Sequence, residues 1–167
     1  IDKLLRAQID PEGLMKGEAI VNSYDYSRVR RMPDLKKGHK DYRDKYFASS
    51  IPGIQLEELT VENEDTDTLP LIQKMNSSLP VSSSGDYKFF SVNMFTGLEK
   101  NPFVADTRFS DVFFGANQQY NLVVNVTIPN GYVFEALPKN IRMIMPDTSI
   151  AITPRIAAEK NQLSARI

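Results

Sequence analysis

Residues 120–147 read YNLVVNVTIPNGYVFEALPKNIRMIMPD, and their alternation decides the fold class. Tyr120, Leu122, Val124, Val126 and Ile128 alternate with Asn121, Asn125 and Thr127. A period of two is that of a strand with one face buried and one face wet. Pro129-Asn130-Gly131 then turns the chain. The pattern continues over residues 132–137, and Ile141, Met143 and Met145 alternate with Arg142.

The same period recurs on both sides. Ile150, Ile152 and Ile156 begin a further strand, and residues 163–167 begin a last one. Residues 87–95 carry apolar side chains at both parities, which predicts a central strand. Ile54 and Leu56 lie on one face and Leu59 and Val61 on the other, a phase slip that predicts a β-bulge. Leu69, Leu71 and Met75 predict a strand that Pro70 pushes to a sheet edge. NSSLPVSSSGD, residues 76–86, reads as loop. Near the start, Asp10-Pro11-Glu12-Gly13 fits a type I turn joining strands over 4–9 and 18–26.

One segment departs from this period. Leu35, His39, Tyr42 and Tyr46 are spaced four, three and four apart, and opposite charges pair at four-residue spacing around them. This predicts one α-helix near residues 33–48. Many short strands with one helix read as a mainly β, antiparallel β-sandwich. Residue pattern leaves Ig-like and jelly-roll forms open; the jelly-roll-like form is the expectation carried forward.

The 167 residues fit a single domain, and a chain of this size buries roughly 70% of its unfolded surface without a staple. The formal net charge of -1 provides no global field for nucleic acid or an anionic membrane. There are no cysteines, so thiol nucleophiles, disulfides and Cys-ligated metals are excluded together. No apolar run approaches the ~18 residues of a membrane span. The chain begins with Ile1 rather than Met and ends in a strand-like segment, and it reads as a piece of a longer protein.

Candidate chemistry is sparse. His39 is the single histidine and sits on the helical stripe, where a packed side chain is the expected role. Glu62, Glu64, Asp65 and Asp67 lack EF-hand spacing and read as a solvated loop. The basic segment from Arg28 to Lys45 is interleaved with Asp34, Asp41 and Asp44, which favours a solvated face or a domain interface over nucleic acid. The aromatics of residues 87–114 default to core packing, and an exposed cluster of three or more would instead suit a sugar. No phosphate loop, HExxH, CxxC or GxSxG motif occurs. No catalytic residue, metal or cofactor is therefore expected.

Two blocks, EKNPFVADTRFSD at 99–111 and the opening stretch at 120–147, carry a family resemblance. They resemble the C-terminal β-sandwich domain of unknown function in bacterial multidomain proteins with a transglutaminase-like domain. The matching residues are Asn101, Pro102, Phe103, Arg108, Pro129, Gly131, Tyr132, Leu137 and Pro138, read as structural. The family's Pro-Val-Asp-Phe-Gly-like run after the Arg is replaced here by residues 109–115, FSDVFFG. The resemblance implies a non-catalytic accessory domain. Its partner would be a preceding transglutaminase-like domain of the same polypeptide, carrying a Cys-His-Asp set that does not map onto this chain. It also implies export, to the periplasm or cell surface of a Gram-negative bacterium. A carbohydrate- or peptidoglycan-binding module is the alternative, with a glycan or peptide as ligand.

Overall fold

The computed structural model describes residues 1–49, 51–95, 104, 107, 109 and 115–167. Alternation along the first 23 residues builds a hairpin of β1 (Asp2–Ile9) and β2 (Leu14–Ser23). The turn closes as the Asp-Pro-Glu-Gly pattern requires. Gly13 N donates to Asp10 O at 3.0 Å, and Leu14 N donates to the Asp10 carboxylate at 2.7 Å. Gly13 has φ +89, a conformation open to glycine.

The helical segment differs from its expected span. Helix α1 is Asp25–Leu35, earlier than predicted, and α2 is His39–Arg43, continuing into a π-helical turn over Asp44–Ala48. Gly38 separates the two helices. Tyr24 and Tyr26 had read as strand; instead Tyr24 is the N-cap, and Asp25 places a carboxylate at the positive end of the helix.

The strands that follow are β3 (Gln55–Leu56), β4 (Thr60–Glu62) and β5 (Leu71–Pro80). Both β3 and β4 pair with β5. Leu56 faces Ser77 and Thr60 faces Lys74, so three residues between them oppose two on β5. That extra residue is the bulge the phase slip predicted. The edge position expected for β5 is corrected. Pro70 lies just outside the strand, so every residue of β5 can pair, and β5 runs between β2 and β3/β4. Residues 76–80 are strand rather than loop, held by ten consecutive pairings of β5 with β2.

The ribbon β6 (Ser82–Ser84) and β7 (Tyr87–Phe89) stands apart from the main sheet. Residues 87–95 thus do not form one central strand, although Met94 and Phe95 are buried. The chain returns in β8 (Asn121–Thr127) and, after residues 129–132 turn it, in the ribbon β9 (Met143–Ile144) and β10 (Ala151–Ile152). It ends in the hairpin β11 (Arg155–Glu159) and β12 (Gln162–Arg166).

The eight-stranded sheet has the order β11-β12-β8-β1-β2-β5-β3, with β4 also on β5. The protein is mainly β, but the sheet is mixed rather than antiparallel. β8 lies parallel to β1, from Asp2 opposite Asn121 to Gln8 opposite Thr127. A parallel neighbour needs a long crossover, and more than a hundred residues separate these two strands. Among the described residues the pairings make one large sheet and two ribbons, and a jelly-roll closure is not among them.

One face of the sheet is the core. Leu5, Val21, Leu71, Met75, Val124, Val126, Leu163 and Ala165 are buried there. Leu35, Tyr42, Phe47 and Phe95 join this core from the helical segment and from residues after β7. The Phe47 ring meets Tyr42 at 6.0 Å and Phe95 at 6.3 Å, both edge-on. The other face carries Arg6, Glu18, Asn125, Ser164 and similar residues at partnered positions, as a wet face should.

Within the core lies one polar knot. Gln73, fully buried on β5, donates to Val21 O at 3.0 Å and Ser23 Oγ at 3.1 Å. Its Oε1 accepts from Arg31 Nη1 at 3.1 Å and from the Tyr42 hydroxyl. The Arg31 guanidinium also lies 4.8 Å from the Tyr46 ring centre. Burial raises the Tyr42 pKa, which keeps its hydroxyl a donor. The helices are thereby fastened to β5 by hydrogen bonds as well as by apolar packing.

Candidate docking surface

The residues that sequence chemistry singled out are spent on structure. His39 is exposed rather than packed, and its Nε2 lies 3.0 Å from Glu64. Arg28 is buried and donates to Glu64 O at 2.9 Å and Asp67 at 3.3 Å. Glu62 pairs with Lys74 at 2.6 Å. The acidic loop is thus held by three separate side chains, Arg28, His39 and Lys74, instead of converging on a point. Among the described residues, no group of three or more His, Cys, Asp or Glu could hold a metal ion.

The basic segment divides in the same way. Arg28 and Arg31 are buried, so they offer no surface to a nucleic acid. Asp34 gathers Lys45 at 2.6 Å, Lys37 at 3.2 Å and the Tyr46 hydroxyl at 3.0 Å. Hydrogen bonds from these three hold the Asp34 pKa down at about 2.

What stands out is apolar. In the β9–β10 ribbon, Met143 faces Ile152, and Met145 N donates to Ile150 O at 2.9 Å. Directly opposed residues share a face, and so do residues two apart. Ile141, Met143, Met145, Ile150 and Ile152 therefore form one continuous apolar face. Each is 42–49% exposed. Isolated exposed apolar residues are ordinary, and a contiguous set on one face is a candidate interaction surface. The alternation at 141–145 is visible in the sequence; the structure leaves its apolar side chains about half exposed and outside the core.

The ribbon has a fixed root. The Asn140 side chain donates to Ile156 O at 3.0 Å, and its Oδ1 accepts from Ile156 N at 2.6 Å. One amide thus pairs with the main chain of β11, the last strand of the sheet, as another strand would. Sequence reading missed Asn140, because an Asn in a turn-rich stretch carries no sign of a partner sixteen residues on.

The family-motif residues fall unevenly. Pro129 O accepts from Tyr132 N at 3.3 Å, and Gly131 has φ +90, so Pro129, Gly131 and Tyr132 form the turn after β8. The Tyr132 ring lies 6.0 Å from Lys88 Nζ. Leu137 and Pro138 are exposed in the approach to the ribbon. Asn101, Pro102, Phe103 and Arg108 lie outside the described residues.

No curated protein and no solved structure is significantly similar to the chain. One family model matches, over residues 86–167, with the description "Domain of Unknown Function with solved-structure structure (DUF3858)". The match covers the apolar ribbon, the β11–β12 hairpin and both blocks that carried the resemblance. The chain contains a DUF3858 domain at residues 86–167.

Proposed function

We propose that the chain is a non-catalytic accessory domain that packs against a transglutaminase-like domain of the same polypeptide. It would support that neighbour or present substrate to it. The observation that carries this reading is the exposed apolar face of the β9–β10 ribbon. A surface of this kind loses free energy by standing in water, at about 25 cal/mol per Å², and gains it on docking. The chain has no cysteine, so a Cys-His-Asp set must be completed elsewhere.

Three finer statements belong to the same proposal. Residues 1–167 act as one domain, supported by the pairing of β1 with β8 across the family boundary. The large sheet is one layer of a jelly-roll-like sandwich, supported by its single buried face. The motif residues, Asn101, Pro102, Phe103 and Arg108 included, are structural. Export to the periplasm or cell surface rests on the family resemblance alone.

The experiment is association in trans. The transglutaminase-like domain and this chain, prepared as separate polypeptides, should bind, and Met143→Asp with Ile152→Asp should abolish binding. Association unaffected by the double substitution would overturn the assigned surface. Turnover of a peptide or glycan by the chain alone would overturn the non-catalytic reading.

A further inference from the structure

The β6–β7 ribbon presents a second surface, of different chemistry and independent of the docking face. Ser82 faces Phe89 and Ser84 faces Tyr87 across the ribbon, so these four side chains share one face. All four are exposed, and the two rings are 55% exposed each. Their centres lie 6.5 Å apart with planes inclined by only 31°. The rings thus neighbour each other on one face, tilted rather than perpendicular, with a serine opposite each.

The ribbon is also held in place. Val81 N donates to Gly13 O at 2.9 Å, tying β6 to the β1–β2 turn. Lys88, which alternates with the two rings, turns the other way and lies over Tyr132. Gly85, with φ +57, makes the tight turn that keeps the two strands in register. A rigid aromatic pair loses little side-chain entropy when a ligand settles on it.

We propose that this face binds a linear saccharide with β-linked, flat pyranose rings. A pyranose ring has a face of C–H groups and an equator of hydroxyls. The C–H face stacks on an aromatic ring, and the equatorial hydroxyls need donors and acceptors beside it. Tyr87 and Phe89 supply two stacking positions in a row, and Ser82 and Ser84 supply the neighbouring hydroxyls. A nucleic acid would need cations aligned with the rings, and the one cation on β7, Lys88, points away.

Calorimetric titration of the 167-residue chain with cellohexaose and with chitohexaose tests this and separates plain from N-acetylated sugars. At least one should bind with a Kd on the order of a millimolar or tighter. Tyr87→Ala and Phe89→Ala should each weaken binding by about tenfold, whereas Tyr87→Phe should retain it. Tyr26→Ala, at an exposed ring on α1, should change nothing. No binding of either sugar at millimolar concentration, or binding insensitive to both ring substitutions, overturns the proposal. So does preference for a proline-rich peptide, the other ligand that seeks paired aromatics. The amide dispersion of the NMR spectrum confirms that each variant is folded.

Discussion

Gln73→Leu should be the most damaging isosteric change on β5. Five hydrogen bonds vanish with the amide, the longest of them from Nε2 to Leu71 O at 3.3 Å. One comes from a charged donor, Arg31, and is worth about 1.5–3 kcal/mol. The others, with Tyr42, Val21, Ser23 and, most weakly, Leu71, are neutral and worth about 0.5–1.5 kcal/mol each at most. Burying leucine in place of the amide returns roughly 1–2 kcal/mol. The net loss is therefore about 3 kcal/mol, against a total stability of about 5–15 kcal/mol for a domain of ordinary stability. Urea unfolding followed by far-UV circular dichroism measures it. Asn76→Ala, on the exposed face of the same strand, should cost under about 1 kcal/mol. A loss below about 1 kcal/mol for Gln73→Leu would refute the argument that the knot fastens the helices to the sheet.

Three further outcomes follow from local geometry. A Cβ on Gly17 would stand 2.8 Å from Ala7 Cβ on the paired strand, so Gly17→Ala should force β1 and β2 apart and cost about 2 kcal/mol in the same assay. The Asp34 cluster depends on an ionised carboxylate whose folded pKa, about 2, is below its ordinary 3.8. Its contribution is present above pH 3.8 and lost as pH falls towards 2, so wild type and Asp34→Asn should converge in stability over that window. Met143→Asp with Ile152→Asp should lower the isolated chain's stability by only about 1 kcal/mol, because both side chains are about half exposed and the main added cost is two like charges set opposite each other.

Legibility tracked how local the deciding contacts are. The strand at 121–127 could be read because its own side chains alternate between core and water. The turn at Asp10 and the bulge near Glu57 could be read because a few consecutive residues determine them. The parallel pairing of β1 with β8 could not, since neither strand carries a mark of so distant a partner. Residues 76–80 read as loop because Asn, Ser and Pro disfavour strands, yet pairing with β2 outweighs that preference. Arg28 and Arg31 read as surface cations. Their burial depends on acceptors more than thirty residues away, on Glu64 and Gln73. The apolar alternation at 141–145 was plain, but alternation alone does not say whether core or partner receives the apolar face.

Amide hydrogen exchange over residues 141–152 tests the central claim most directly. It compares the isolated chain with a longer polypeptide in which the proposed transglutaminase-like domain precedes it. Docking of the apolar face should slow exchange across the ribbon in the longer polypeptide, while the ten-residue pairing of β2 with β5 exchanges equally in both. Equal exchange of the ribbon in the two polypeptides would contradict the account.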